Sequence, residues 1–236
     1  MPKVYGIEHI LYIVITTAVA VAGLLLAKKF CKTEKSQTIF IKCLAGLLFI
    51  SIVTNRLSQV FSWGGKPHWK SLIPDSFCGM TSLVLSLSVL LGKKDNIGLH
   101  FAWLLGIFGG IATVAYADFI GQSDSVFFLP TISGLLHHSF SATLVVALFL
   151  FKQINLTYKK WYAPVFGLTA YIALGAFLMS VLGKGDAFHI VEPLLSGTPL
   201  TAWVMAPIYF TAHALILLAV ELYRKFSPKL KAKTSN

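Results

Sequence analysis

ILYIVITTAVAVAGLLLAKK, residues 10–29, sets eighteen uncharged residues against a closing Lys28-Lys29 pair. A helix rises about 1.5 Å per residue, so about 20 residues cross the ~30 Å hydrocarbon core of a bilayer. Within the run, Ala18-Val19-Ala20-Val21-Ala22-Gly23 resembles a signal-peptide cleavage site. Only Lys3 supplies positive charge before it, however, and the apolar residues continue through Leu24-Leu25-Leu26-Ala27 to the two lysines. That ending is a stop-transfer pattern, so a retained span is expected.

Working outward, the first run (about Ile10–Ala27) is followed by six more of its kind. They are about Thr38–Ser58, Leu72–Leu91, Ile97–Phe119, Val126–Phe151, Ala163–Leu182 and Leu200–Leu222. Short polar stretches such as Gly64-Gly65-Lys66-Pro67 and Gly92-Lys93-Lys94-Asp95 separate them. Hydrophobic residues make up 56% of the chain and charged residues 12%, about half the charge of a soluble domain. In lipid every backbone polar group needs an internal partner, so runs of this length must be helices. Pro74 and Pro130 fall near the starts of their runs, where a missing N–H is tolerated. The expectation is an all-α, polytopic membrane protein with about seven transmembrane helices. It forms one domain over residues 1–236, with a basic tail at 224–236, in the cell membrane of a bacterium.

Lys and Arg number 20 against 9 acidic residues, a net charge of +11. With the N-terminus outside, 15 of the 20 fall on the cytoplasmic side, in the groups 28–42, 93–94, 152–160 and 224–233. Lys3, Arg56, Lys66, Lys70 and Lys184 fall on the other side. The positive-inside rule then sets the N-terminus out and the C-terminus in, and it accounts for the basic excess without nucleic acid. The tail is expected to lie against anionic lipid headgroups. Trp63, Trp69, Trp161 and Trp203 fall near the predicted boundaries, as an aromatic belt would. Cys31 and Cys43 belong to the inner side and Cys78 to the outer half, which argues against a disulfide to Cys78. No internal repeat and no obligate protein partner is evident.

Ionisable groups inside spans are costly and usually face the bundle interior. Those here are Glu8 and His9, Asn55-Arg56, Asp75 and Cys78, Asp118, His137-His138, and Tyr209 with His213. His189 and Glu192 occupy the last outer loop, and His100 and Glu221 lie near the inner face. A helix starting at Leu72 puts Cys78 roughly 10 Å below its outer edge, and His137 and His138 lie about 15 Å below theirs. Most of the polar inventory therefore belongs to one leaflet. A cysteine with a nearby histidine suggests a thiolate nucleophile and its base. The plainer readings are a small packing residue for Cys78, an interhelical hydrogen bond for the histidines and a snorkelling Arg56. Adjacent histidines point about 100° apart on a helix, so one of the pair is expected at the site. Gly106, Gly109 and Gly110 suit close helix packing. Zinc is the competing chemistry: His137 or His138, His213 and Asp118 would have to converge from different helices, and no His-x-x-x-His spacing is present. No metal and no cofactor is expected.

Gly6-Ile7-Glu8-His9, Leu72-Ile73-Pro74-Asp75-Ser76-Phe77-Cys78, the run from Gly106 to Asp118, Phe127-Phe128 and His137-His138 follow one another in an order that resembles the YwaF-like integral-membrane family. That family includes the animal transmembrane protein 164. The likeness extends from Glu8 to about Tyr223, and its most specific part is Pro-x-x-x-Cys at a helix start with a His in a span about 60 residues later. It implies an acyltransferase that moves a fatty acyl chain between membrane phospholipids through an acyl-cysteine intermediate. Cys78 would be the nucleophile and His138, or else His137, the base. The chain has Asp75-Ser76-Phe77 where the family has Leu-His-Leu, and Asp186-Ala187-Phe188-His189 where it favours Asn-Tyr. Arg56, Asp75, Asp118, Tyr209 and His213 are the remaining candidates, as substrate-binding groups in the polar half. Ser76, Tyr209 or an N–H at the Pro74 helix start would serve as oxyanion donors. Two other classes compete: a zinc-dependent seven-helix lipid hydrolase, and a non-catalytic membrane binder or transporter.

Overall fold

The computed structural model describes residues 5–61, 66–116 and 125–227. Seven α-helices run through it: α1 (Ile7–Phe30), α2 (Glu34–Phe61), α3 (Phe77–Leu90), α4 (Ile97–Ala115), α5 (Leu129–Leu150), α6 (Ala163–Ser180) and α7 (Ala202–Phe226). Six helical segments are long and apolar enough to cross a membrane; α3, at 14 residues, is the exception. The chain is an all-helical, multi-pass integral membrane protein. Most boundaries fall within a few residues of the expected ones. Helices α1 and α2 outrun their apolar cores because Glu8, Lys28-Lys29 and Glu34 suit the first and last turns, where each charge complements the helix dipole.

The third span departs from expectation. Residues Trp69–Leu72 form a 3-10 turn, and the α-helix begins only at Phe77, not at Leu72. Proline disfavours α geometry in the residue before it, and Ile73 is extended. Ser76 then caps the helix, its hydroxyl accepting the Gly79 N–H at 3.2 Å. Cys78 consequently stands in the first turn of α3, not two turns down a longer helix. The fourth run also ends early, at Ala115, and Asp118 lies outside the described residues.

The chain divides into two compact units, Met1–Ile154 and Asn155–Asn236. In the first, α2, α3, α4 and α5 form a ring in which each packs on the next, α2 closing against α5. The face where α1, α3 and α5 begin is termed the upper face; α2 and α4 begin at the lower one. Helix α1 lies against α5 and keeps most of its surface outside the bundle: His9, Tyr12 and Ala27 are buried, while Val14, Ile15, Val19 and Leu25 are more than half exposed. Polar contacts tie its upper end down. His9 Nε2 is 2.9 Å from the Val114 carbonyl, Tyr12 hydroxyl 2.8 Å from Ser139 Oγ, and Glu8 accepts the Val126 N–H at 2.9 Å. That exposed apolar side is suited to lipid.

In the second unit α6 packs on α7, which carries Pro207 within it. The segment between them folds back on α6, with Phe188 fully buried and stacked on Tyr171. Trp161 and Trp203, at the starts of α6 and α7, are about 60% exposed, as is Trp69 in the first unit; Trp63 lies outside the described residues. The tail at 224–236 is described only as far as Ser227.

Candidate functional site

The close approach of α4 to α5 creates the setting. A methyl group added at Gly110 would stand 2.7 Å from the His138 carbonyl and 3.0 Å from the Ala142 methyl. One added at Gly106 would meet Ser141 Oγ at 3.0 Å. Small residues one turn apart let the two backbones touch. Gly109, beside this seam, turns toward α3 instead: the nearest atom to its missing side chain is Cys78 Sγ, at 2.9 Å.

The cysteine and one histidine both adjoin Gly109. The His138 imidazole faces the Gly109 backbone, and the Cys78 thiol faces the Thr113 hydroxyl one turn further along α4. Gly109 lies six residues, or about 9 Å, below the upper end of α4. His138 lies about 14 Å below the start of α5 by the same rise. Cys78 reaches the level of Gly109 because α3 starts late, after the 3-10 turn and the extended Ile73 before it. Cys78 remains partly exposed, whereas His138 is 6% exposed.

His137 serves the same cluster from its other side. Its Nδ1 is 3.1 Å from Ser82 Oγ, and Ser82 stands one turn below Cys78 on α3. The two imidazole centroids are 4.2 Å apart. The 100° between neighbouring helix positions thus points the histidines at two different helices, His137 at α3 and His138 at α4.

Arg56 and Asp75 supply charge above the histidines. Arg56 Nη1 is 3.8 Å from Asp75 Oδ1, with the Arg56 side chain 16% exposed. Its Nε donates to Asn55 Oδ1 at 3.1 Å. Buried Asn55 in turn donates to the Pro130 carbonyl at 2.8 Å and to Ser133 Oγ at 3.3 Å, at the start of α5. The guanidinium is close enough to act electrostatically on both imidazoles. All four helices of the ring therefore contribute: α2 a cation, α3 the thiol, α4 a glycine and a hydroxyl, α5 two imidazoles.

Tyr209 and His213 belong to the second unit, where their rings stack 6.3 Å apart one turn from each other. Asp118 lies outside the described residues. Lys70 is exposed on the 3-10 turn. His100 and Glu221 have structural partners, Asp95 at 2.7 Å and Arg224 at 3.6 Å. Among the described residues, no three of His, Cys, Asp and Glu gather as they would around a metal ion. Thr113 and Ser82 were not singled out from sequence. Their only signal is spacing: each is four residues from a member of the cluster, Gly109 or Cys78.

Apolar helices, most of them of spanning length, four of which, α2 to α5, close around a thiol, two imidazoles and a guanidinium, define a multi-pass integral membrane protein with a polar centre inside one bundle. A family model described as the TMEM164 family matches residues 4–223, and the chain belongs to that family. No curated protein and no solved structure matches it.

Proposed function

We propose that the protein is a membrane acyltransferase that moves a fatty acyl chain between phospholipids through an acyl-cysteine intermediate. The observation that carries this reading is that Cys78, in the first turn of α3, and His138 of α5 both adjoin Gly109 of α4. With the Gly109 backbone beside one of its nitrogens, the His138 ring has the other to accept a proton. His138 takes the thiol proton, and the sulfur attacks the ester carbonyl of a donor phospholipid. The Cys78 backbone N–H, in the first turn of α3 where the helix itself supplies no acceptor, is suited to the oxyanion that forms. The lysophospholipid oxygen leaves with the proton held by His138, and the acyl group stays on sulfur as a thioester.

The second half reverses the sequence. An acceptor hydroxyl gives its proton to His138 and attacks the thioester carbonyl. The new ester departs, and the Cys78 sulfur regains a proton from the imidazolium. Splitting the transfer this way replaces one difficult step by two easier ones. Arg56 is suited to a lipid phosphate, since guanidinium binds that group through paired N–H donors. His137, held by Ser82, positions its neighbour. Asp75 sets the orientation of Arg56. What the family resemblance implies of animal members, acyl transfer by a Cys–His pair, supports the same assignment.

The test is lipid mass spectrometry on reconstituted protein given a phospholipid donor and a lysophospholipid acceptor. Cys78→Ser keeps the fold and loses at least about 100-fold in turnover, because a serine hydroxyl needs far stronger activation. His138→Ala loses more than His137→Ala. Wild-type turnover by the serine variant would refute the proposal.

A further inference from the structure

At the lower face of the first unit, the ends of α3 and α5 and the starts of α2 and α4 enclose a cavity of about 210 Å³. It is separate from the Cys78 cluster and takes no part in the chemistry above. Lys42, Lys93 and Lys94 line it, with Glu34 and Gln153. Glu34 is already engaged, 3.3 Å from Lys94 Nζ. Among the described residues, Lys42 and Lys93 have no acidic partner.

Gln153 is the decisive group. Its side chain is 8% exposed, and its Nε2 has no hydrogen-bond partner among the described residues. An unpaired buried donor costs about 1–3 kcal/mol, so such groups are nearly always satisfied in native proteins. Among the described residues no acceptor lies within hydrogen-bond distance of Gln153 Nε2. The lysines around it only donate. Carbonyls at the nearby helix ends are occupied, Leu148 by the Gln153 N–H at 2.8 Å and Ser88 by Asn96 Nδ2 at 2.9 Å. The loop is also fixed in place: Asp95 N–H donates to the Gln153 carbonyl at 3.0 Å, and Asp95 holds His100. An occupant with acceptor oxygens and negative charge suits both the amide donor and the two lysines.

We infer that this lower-face cavity binds a phosphate-bearing anion, gripped by Lys42 and Lys93 and accepting the Gln153 amide donor. Its volume is below the range of drug-sized pockets, about 300–1,000 Å³, and suits a headgroup. The mouth stands at the lower end of a bundle of membrane-spanning helices, so an anionic phospholipid is one source and free phosphate the other. Binding at this site is independent of acyl transfer.

The experiment places the full chain in nanodiscs of phosphatidylcholine, alone or doped with phosphatidylglycerol, and reads bound phosphatidylglycerol by native mass spectrometry. Wild type retains it. Lys42→Ala with Lys93→Ala weakens retention about five-fold per lysine removed, and Gln153→Leu weakens it further. Should Gln153→Leu fail to fold, the two exposed lysines still carry the test. Lys159→Ala with Lys160→Ala, two lysines of the other unit, leaves retention unchanged. Thermal protection by inorganic phosphate in phosphatidylcholine nanodiscs, lost in the Lys42/Lys93 variant, would assign the site to the free ion. The inference is overturned if the Lys42/Lys93 variant binds both probes as wild type does. Equal loss in the Lys159/Lys160 variant overturns it too, since general surface charge would then explain the binding.

Discussion

At Gly109 and Gly110, neighbouring positions on α4, one added methyl group has two different consequences. Gly110→Ala would drive its methyl into the His138 carbonyl and the Ala142 methyl, and neither backbone can yield without parting α4 from α5. Overpacking of this kind costs about 1–3 kcal/mol, so a lower unfolding temperature in detergent is expected. Gly109→Ala meets only the Cys78 sulfur at 2.9 Å, and a single side-chain rotation relieves it. Stability should stay near wild type while transfer falls by about 100-fold, the cost of misplacing a reacting group by about 1 Å. Equal thermal stability of the two variants, or full activity in Gly109→Ala, would contradict this division. Cys78 and the histidines were legible in the sequence because thiols and imidazoles are conspicuous in apolar runs. Ser82 and Thr113 were not. A hydroxyl in a helix can bond the carbonyl four residues back, so its presence in a span carries little signal.

Among the elements, α3 does most to shape the site. At 14 residues it spans about 21 Å, short of the hydrocarbon core, and its sunken start brings Cys78 to the level of His138. Run length alone could not reveal this, because Leu72 and Ile73 are as apolar as the helix that follows. Pro74 and the Ser76 cap decide the start. Ser76→Ala removes the acceptor for Gly79 N–H and should cost about 1 kcal/mol, with frayed density or faster hydrogen exchange confined to residues 77–80. The α2–α5 contact depends on Asn55 in a comparable way. Asn55→Leu removes one donor to the Pro130 carbonyl and the amide acceptor of Arg56, leaving Asp75 as the partner of the guanidinium, for about 1 kcal/mol of lost stability, read as a lower unfolding midpoint. No loss on that substitution would mean that the Asp75–Arg56–Asn55 chain is not held as described.

The whole molecule was the most legible scale, since apolar runs of span length can be satisfied only as helices in lipid. Where Glu8, Lys28, Lys29 and Glu34 add charged turns, the observed helices exceed the runs; where proline intervenes, they fall short. Orientation is a separate expectation, resting on the division of basic residues. With the C-terminus in the cytoplasm, an export-dependent reporter fused after Asn236 stays silent. A strong signal would reverse the orientation and put the Cys78 face toward the cytoplasm, while leaving its chemistry unaltered. That chemistry is best tested on sulfur itself. Protein incubated with donor phospholipid, quenched in acid and digested should yield a Cys78 peptide carrying one fatty acyl mass. Hydroxylamine should remove that mass, acceptor lysophospholipid should discharge it, and the Cys78→Ser variant should lack the hydroxylamine-labile adduct. Transfer that proceeds at the wild-type rate with no acyl mass ever found on Cys78 would contradict the account.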